Sequence, residues 1–285
     1  MNGFKNLGNT CYMNAGLQML IQNKKLYKLL KFYSKYSDKL GQIYNFFSEY
    51  HHTTNISVLN PKMIKDLVSN RHHDLAGFGQ EDTSEFIIYF LDIIDEELKL
   101  LNKHINLKQL FNVISITRTK CKTCENKSFR EDDSYYLLLN LSHDSNQDNR
   151  DLDSLYKDYK SKELLEGDNM YSCEKCKTKR VASKRMCVKT WPDDLFIWLK
   201  RFDMNLRKIS KSIEIPLIWR DDYQLQGAII HSGNLNGGHY YYLGKVKENW
   251  YIFDDTSVSK IESIERVKGI IQQAYWLYYK KLIVL

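Results

Sequence analysis

The sequence predicts an α+β protein, with helices in the N-terminal third and mainly antiparallel strands after it. Three observations support this. Apolar residues recur with helical spacing before residue 102, runs of β-branched and aromatic residues begin near residue 111, and 43% of the 285 residues are hydrophobic. A chain of this size and composition can bury a substantial core. Helices followed by a block of strands are typical of the α+β class.

Helices are predicted at three places in the first third. Met13 to Gln22 is a short candidate, and apolar or aromatic positions recur at three- and four-residue steps from Leu26 through Phe47. The clearest helix covers residues 82–101, where one face carries Phe86, Ile87, Phe90, Leu91, Ile94 and Leu98. Asp82 and Glu85 stand three positions apart at its start, as in a capping box.

Strands are predicted where β-branched and aromatic residues cluster. These runs are residues 111–117, 135–141 and 195–199, followed by 228–230, 240–243, 250–253 and 275–279. The polar segment from Ser142 to Ser154 is rich in Asn and Asp, so we expect an exposed loop there.

Composition excludes several classes of protein. Thirteen glycines and three prolines do not fit a collagenous or a Pro/Gly-rich disordered chain. The longest apolar runs, such as Phe86 to Leu91, are far shorter than the ~20 residues that span a bilayer. The first residues carry no apolar signal-peptide core. Without a secretory context, six cysteines favour a reducing compartment. We therefore expect an intracellular, monomeric protein of the cytoplasm or nucleus, with no membrane partner.

The net charge of +7 raises the question of nucleic-acid binding. Residues 1–80 hold ten Lys/Arg against four Asp/Glu, residues 81–101 one against seven, and residues 177–211 eleven against three. The charge thus lies in blocks of opposite sign, which favours a solvated lysine-rich surface over a nucleic-acid footprint.

Four cysteines are arranged as a metal site. Cys121-x-x-Cys124 and Cys173-x-x-Cys176 are two knuckles of the kind that close a tetrahedral thiolate zinc site. The 48 intervening residues place the knuckles on different hairpins of a larger element. A thioredoxin-type redox pair is the alternative, but no βαβ pattern accompanies it. A closed four-cysteine site leaves no open coordination position, so the expected zinc is structural.

Of the two remaining cysteines, Cys187 lies in a strand-like stretch and is expected to be a buried, inert thiol. Cys11 follows the turn-forming residues 6–10 and opens the first helix candidate. The positive end of a helix dipole favours a thiolate at that position. Taken alone, a cysteine at a helix start is more often a packed side chain than a catalytic one.

His239 and Asp254 are the candidate partners of Cys11. His239 follows Gly237 and Gly238, where a glycine-bearing loop enters a strand and leaves room for a bound chain to approach the backbone. Asp254 ends the next predicted strand. If the two strands are adjacent and antiparallel, Asp254 can contact the His239 ring and fix its tautomer. No spacing rule brings Cys11 to His239; only the fold can.

Five segments together resemble the ubiquitin-specific proteases, the papain-like deubiquitinases. Residues 3–14 (GFKNLGNTCYMN) resemble the cysteine box of that family, and residues 237–240 (GGHY) with 250–255 (WYIFDD) resemble its histidine box. Three further landmarks are QEDTSEF at 80–86, LKRF at 199–202 and AYWLYY at 274–279. The segments occur in the family's order, and the resemblance runs from residue 3 to about residue 280.

The resemblance implies one catalytic domain over residues 1–285, shaped like a right hand. A helical thumb would cover 1–110, zinc-stapled fingers 111–190 and a palm sheet 191–285. Cys11 would be the nucleophile, His239 the general base and Asp254 the orienting carboxylate. The neighbouring acid Asp255 would be a second carboxylate able to assist His239. Asn6 would supply an oxyanion donor beside the Cys11 backbone N–H.

Substrate contacts are implied as well. Asp82 and Glu85 match acids that hold the basic C-terminal tail of ubiquitin, with capping of the 82–101 helix as the structural alternative. Gln80 and the glycines Gly237 and Gly238 would border the tail channel. Ala15 and Glu81 depart from the family's usual Ser and Gln without removing a catalytic group. The chain is expected to be a near-minimal catalytic core.

Three alternatives remain. Some members of the family bind ubiquitin without catalysis, although every triad position and Asn6 are filled here. The boxes do not separate ubiquitin from another ubiquitin-like modifier. A zinc-containing nucleic-acid-binding protein would fit the sequence pI of 8.9 but leaves Cys11 and His239 unexplained.

Overall fold

Most of the helices lie in the N-terminal part of the chain, as the periodicity predicts. The computed structural model describes residues 1–53, 57–102, 104, 107–141, 150–203, 205, 207–234 and 237–282. Within them the α-helices are α1 (Cys11–Ile21), α2 (Lys24–Tyr33), α3 (Asp38–His52), α4 (Lys62–Ser69), α5 (Thr83–Leu101), α6 (Lys108–Phe111), α7 (Leu152–Tyr159) and α8 (Ile264–Ile271). Short 3-10 turns occupy His73–Leu75 and Gly167–Asn169. None of the helices in the described residues is long and apolar enough to cross a membrane.

Strands dominate from residue 113 onward. In chain order the strands are β1 (Gly3–Phe4), β2 (Val58–Leu59), β3 (Val113–Cys121), β4 (Lys127–Ser134), β5 (Leu137–Asn140), β6 (Arg150–Asp151), β7 (Lys162–Leu165), β8 (Tyr171–Cys173), β9 (Thr178–Arg180), β10 (Ala182–Thr190), β11 (Asp194–Lys200), β12 (Ile213–Glu214), β13 (Ile218–Trp219), β14 (Tyr223–Asn234), β15 (Gly237–Val246), β16 (Asn249–Asp254), β17 (Ser257–Ile261) and β18 (Ala274–Lys281).

Two sheets organise these strands. The larger has the order β17-β16-β15-β14-β18-β11-β5, with β13 paired to β14, and all of its pairs are antiparallel except β11–β5. The smaller has the order β4-β3-β10-β7, and the β8–β9 hairpin stands apart from it. β5 comes from the 111–190 segment but lies in the larger sheet, so that segment is not confined to the smaller one.

Both faces of the larger sheet are covered, which explains its continuous apolar runs. In β11, Phe196 belongs to the core cluster beneath α1–α5, whereas Leu195 and Ile197 belong to the cluster on the other face with α7 and α8. Side chains alternate between faces along a strand, so a run without polar gaps supplies two cores. Every residue of α1 is buried between the sheet and α5.

The LKRF landmark has a structural role in this fold. Arg201 is completely buried, and its guanidinium donates to the backbone carbonyls of Ala274, Ile209, Lys211 and Gln272 at 2.6–3.0 Å. A buried guanidinium needs such acceptors. Arg201 thereby joins the ends of β11 and β18 to the chain between them.

Three local predictions were wrong. Phe111 ends α6 instead of opening a strand, because the strand starts at Val113. The expected loop 142–154 lies partly outside the described residues, but its end starts α7, where Asp151 and Ser154 form a capping box. Cys187 is exposed on β10, because it lies with Arg185 and Lys189 on the face of that strand that is open to solvent.

Candidate active site and four-cysteine cluster

A tight turn places Cys11 at the first position of α1. Gly8 and Asn9 have φ of +104° and +52°, the left-handed region that glycine and asparagine tolerate. The Asn6 Oδ1 accepts from the N–H groups of Gly8 and Thr10 at 3.0 and 3.1 Å, and Thr10 Oγ1 accepts from Leu7 N–H at 2.8 Å. The first N–H groups of a helix have no intrahelical acceptor, so the nearly buried thiol lies at their positive end.

The predicted contact between Asp254 and the His239 ring is present. The strands β15 and β16 are adjacent and antiparallel, and His239 Nε2 lies 2.5 Å from Asp254 Oδ1. Because Asp254 engages Nε2, Nδ1 is the ring nitrogen left for the Cys11 thiol, whose interaction with the ring raises the pKa of His239. The packing of α1 against β15 brings together two residues that are 228 positions apart in the chain.

The surroundings of His239 favour its charged form. The hydrogen bond with Cys11, followed by the hydrogen bond and charge of Asp254, raises the pKa of His239 to about 9 against a desolvation effect that lowers it. The ring is therefore an imidazolium at neutral pH. An imidazolium beside a thiol stabilises the nucleophilic thiolate.

Asp255 hydrogen-bonds to two asparagines beside the histidine. Its Oδ2 accepts from Asn6 Nδ2 at 2.7 Å and its Oδ1 from Asn14 Nδ2 at 2.6 Å. The left-handed backbone at Asp255, with φ of +47°, follows directly on β16. One of its carboxylate oxygens also lies within 4.8 Å of a ring nitrogen of His239 and of a carboxylate oxygen of Asp254. The role of Asp255 as a second acid for His239 therefore stays a prediction.

Asn14 and Thr10 are site residues that the sequence reasoning did not single out. Asn14 lies three positions after Cys11 on the same helix face, a spacing that could have marked it. The Asn6 amide has two N–H donors, of which Asp255 takes one. The second N–H and the Cys11 N–H are donors that can serve an oxygen developing negative charge beside the thiol.

Asp82 and Glu85, near the start of α5, differ in whether their carboxylates accept hydrogen bonds from other residues. Asp82 caps the helix by accepting from Ser84 N–H at 2.6 Å, and its other oxygen accepts from the Tyr275 hydroxyl at 2.7 Å. Glu85 makes no hydrogen bond or ion pair within the part of the chain that the structure describes. Desolvation, then the charges of Asp82, Glu81 and Asp74, raises the pKa of Glu85. A cation would relieve that repulsion.

The two glycines before His239 serve different purposes. Gly238 donates its N–H to Gln80 Oε1 at 2.8 Å, and a Cβ at this position would lie 2.1 Å from the buried His231 ring. Gly238 is therefore required by packing. A Cβ at Gly237 would meet nothing within 4 Å, so Gly237 borders open space.

The four cysteines of the two knuckles meet in space. Their Sγ atoms all lie within 4.8 Å of one another, with Cys124 and Cys173 at 3.5 Å, too far for a disulfide. Cys121 ends β3 and Cys173 ends β8. The backbone N–H groups of Cys124 and Thr123 lower the pKa of Cys121 to about 6, whereas hydrogen bonding to Cys124 raises that of Cys176 to about 12. Four sulfur atoms at this spacing fit a thiophilic metal ion.

The fold and this site define a papain-like cysteine peptidase architecture: a thiol opens a buried helix, and the strands of an antiparallel sheet carry its histidine and aspartate. The sequence model described as "Ubiquitin carboxyl-terminal hydrolase" matches residues 2–279. The chain belongs to that family.

Individual relatives agree with this assignment. The chain is 32% identical to "Probable ubiquitin carboxyl-terminal hydrolase 16" of Schizosaccharomyces pombe and 28% identical to "Ubiquitin carboxyl-terminal hydrolase Usp2" of Drosophila melanogaster. Each alignment covers 98% of this chain but only 66% and 34% of those relatives. All of the chain superposes, with a TM-score of 0.81 and 24% identity, on 70% of a chain in the SAGA Ubp8/Sgf11/Sus1/Sgf73 DUB module bound to ubiquitin aldehyde. The predicted ubiquitin-specific protease fold is confirmed.

Proposed function

We propose that this protein is a thiol-dependent deubiquitinase that hydrolyses the peptide or isopeptide bond after the C-terminal glycine of ubiquitin. The observation that carries the proposal is the meeting of Cys11, from the first helix, with His239 and Asp254, from two adjacent strands in a distant part of the chain. Family membership over residues 2–279 supports ubiquitin as the modifier.

In the proposed reaction, the Cys11 thiolate attacks the carbonyl carbon of the terminal glycine. The tetrahedral intermediate collapses, and the leaving amine takes a proton from the His239 imidazolium. The product is a thioester on Cys11. His239, now neutral, takes a proton from water as the water attacks the thioester, and the Cys11 thiolate then leaves. Asp254 holds the ring in one orientation through both steps.

Asn6 and Asp255 are assigned separate roles. The free Asn6 N–H and the Cys11 N–H would bind the oxygen of the tetrahedral intermediate. Asp255 is a positioning residue, because it acts through its 2.7 Å hydrogen bond with the Asn6 amide and its 2.6 Å hydrogen bond with Asn14. It fixes the amide plane before substrate arrives, so no reorganisation is needed during the reaction.

Glu85 is the residue best placed to pair with an arginine of the ubiquitin tail. Its carboxylate has no side-chain partner among the described residues, and its pKa is raised by desolvation and then by neighbouring acids, so binding of a cation is favourable. Asp82 would contribute charge to the same cluster while it caps α5. Open space at Gly237 suits a channel wall for a Gly-Gly tail.

We further propose that the four-cysteine cluster holds one structural Zn²⁺, because zinc is the usual partner of a tetrahedral four-thiolate set. Cys121, Cys124, Cys173 and Cys176 would supply the ligands. Zinc would then fix the end of β3, in the smaller sheet, to the β8–β9 hairpin, which shares no sheet with it.

The test is hydrolysis of ubiquitin that carries a fluorogenic amide at its C terminus. We expect turnover by the unaltered protein, loss of turnover in Cys11→Ala, and full turnover in Cys187→Ala, the matched control on an exposed thiol. Hydrolysis of other ubiquitin-like modifiers but not ubiquitin would contradict the substrate assignment. Equal activity in Cys11→Ala would contradict the nucleophile.

A further inference from the structure

The outer surface of α2 carries a stripe of lysines. Lys24, Lys28, Lys31 and Lys35 follow a 4-3-4 spacing, which places them along one side of the helix and of the turn that extends it. All four are exposed. α2 buries only Leu26 and Leu30 completely, so most of its surface faces away from the core.

A second stripe runs beside the first with the same spacing, through Lys25, Leu29, Phe32 and Tyr36. The side chains of Phe32 and Tyr36 are 59% and 54% exposed, unusually open for aromatic residues. The surface therefore presents an apolar edge next to a row of positive charges. We call these two stripes the α2 surface.

The lysine stripe lacks the acidic partners that an ordinary solvated face provides. Residues 1–37 contain six lysines and no acidic residue. Lys25 is neutralised by Asp193 at 2.5 Å, whereas Lys24, Lys28, Lys31 and Lys35 form no ion pair within the described residues. The Lys35 ammonium lies over the Tyr36 ring, 5.1 Å from its centroid. None of the four lysines has an acidic partner among the described residues, so they repel one another, and a polyanion would relieve that repulsion.

A cleft of about 770 Å³ continues the α2 surface. Lys24 lines it together with Lys245, Lys247, Lys280 and Lys281. Of these, Lys245 lies 3.4 Å from Glu248 and Lys281 lies 3.7 Å from Asp222, so both ion pairs are long. Positive charge thus extends from the exposed side of α2 into this cleft.

The α2 surface and its cleft lie far from the proposed catalytic site. Cys11 begins α1, and Lys24 follows the end of that helix, which is about 15 Å long at 1.5 Å per residue. A ligand here would leave the cysteine open to substrate.

We propose that the α2 surface binds an acidic amphipathic helix of a partner protein. Its acidic side chains would pair with Lys24, Lys28, Lys31 and Lys35 at the matching 4-3-4 spacing, and its apolar side chains would pack on Phe32 and Tyr36. This proposal is independent of the deubiquitinase assignment.

Two features favour a helix over other polyanions. Phe32, Tyr33 and Tyr36 pack against one another, with the Phe32 and Tyr33 rings edge to face at 4.8 Å. None of the three ring pairs is stacked face to face, so the exposed rings form an uneven apolar edge that suits aliphatic side chains better than the flat face of a base. The positive charge of Lys245 and Lys280 lines a concave cleft and not a flat face, which favours a protein segment over a bilayer surface.

The test measures binding of a fluorescent synthetic helix of about twenty residues, with Glu at 4-3-4 spacing and Leu on the neighbouring stripe. We expect saturable binding that weakens with salt, and an affinity on the order of tenfold lower in the Lys24/Lys28/Lys31/Lys35→Gln variant. Phe32→Ala with Tyr36→Ala should weaken binding without removing its salt dependence.

The matched control replaces four exposed lysines elsewhere that form no ion pair among the described residues: Lys127, Lys157, Lys179 and Lys268, each to Gln. It has the same net charge and should bind as the unaltered protein does. All variants should melt alike and hydrolyse the ubiquitin amide alike. Equal weakening in both lysine variants, or α2-dependent binding of single-stranded DNA or phosphatidylserine vesicles but not of the peptide, would overturn the proposal.

Discussion

The four-cysteine cluster and Cys11 place the same kind of side chain in two different surroundings. In the four-cysteine cluster, two local C-x-x-C turns bring sulfurs together, and a sulfur–sulfur distance of 3.5 Å marks a site that a metal ion would close. At Cys11 a single sulfur meets a histidine, and the protein supplies the charge through an imidazolium whose pKa is about 9. The first arrangement favours stability and the second reactivity. Separate perturbations should therefore affect them separately.

The largest effect is expected on stability from loss of the metal. Removing Zn²⁺ with a chelator, or replacing the buried Cys173 by Ser, should lower the melting temperature by roughly 10 °C, since a ligand at about a thousand times its Kd contributes about 4 kcal/mol. Scanning calorimetry measures this, with the exposed Cys187→Ser as the control. An unchanged melting curve in metal-free protein would refute the structural role.

Asp254→Asn should lower kcat by up to ~10⁴-fold, because the ring loses its orienting carboxylate, while the melting temperature changes little.

The raised pKa of His239 predicts a falling limb of the pH–rate profile near pH 9. The pKa of His239 in the folded protein lies above its ordinary value of 6.5, so the protonated ring also stabilises the fold. This stabilisation is complete below about pH 6.5 and is lost as the pH rises through about 9.

His239 titration by NMR sharpens this point. The hydrogen bond with Cys11, and the hydrogen bond and charge of Asp254, all raise the pKa of His239, so Cys11→Ala and Asp254→Asn should each lower it. Removing metal from the four-cysteine cluster should leave it near 9. An unchanged pKa in either variant would show that the residue replaced does not help to keep the ring charged.

Asn6→Ala should lower kcat by about 10²–10³, the usual cost of one oxyanion donor, with ubiquitin binding nearly unchanged. Asp255→Asn should lower kcat less, because Asn6 remains but is less firmly held. Steady-state kinetics beside equilibrium binding to ubiquitin separates the two quantities. Equal losses in kcat and in binding would contradict the oxyanion role.

The smallest effect is expected at the acidic cluster. Glu85→Gln should raise KM several-fold with little change in kcat, and raising the ionic strength should reduce the difference. Glu163→Gln, an exposed carboxylate on β7, is the control. A fall in kcat at constant KM would place Glu85 in another role.

The sequence predicts what depends on local pattern. The C-x-x-C spacings identify the cluster, the periodicity identifies α5 with Asp82 at its cap, and aromatic runs identify the strands of the larger sheet. Adjacency of two antiparallel strands was enough to expect the His239–Asp254 contact.

Long-range geometry could not be predicted this way. The engagement of Asp255 by Asn6 and Asn14 depends on how β16 ends against the cysteine turn, more than 240 residues away in the chain. Cys187 lies on the solvent-exposed face of β10, and an alternating strand pattern does not reveal which of the two faces is exposed. Asp151 and Ser154 form the capping box of α7, but they stand in a polar segment. Asp and Ser are also common in loops, so the sequence alone did not predict the helix there.

The central claim is that the chain aligns Cys11 as a nucleophile toward the ubiquitin tail. The most direct test is reaction with ubiquitin carrying a C-terminal electrophile, followed by peptide mapping of the adduct by mass spectrometry. We predict one adduct, on Cys11, which is absent in Cys11→Ala and unchanged in Cys187→Ala. An adduct on another cysteine, or none from folded, zinc-loaded protein, would contradict the claim.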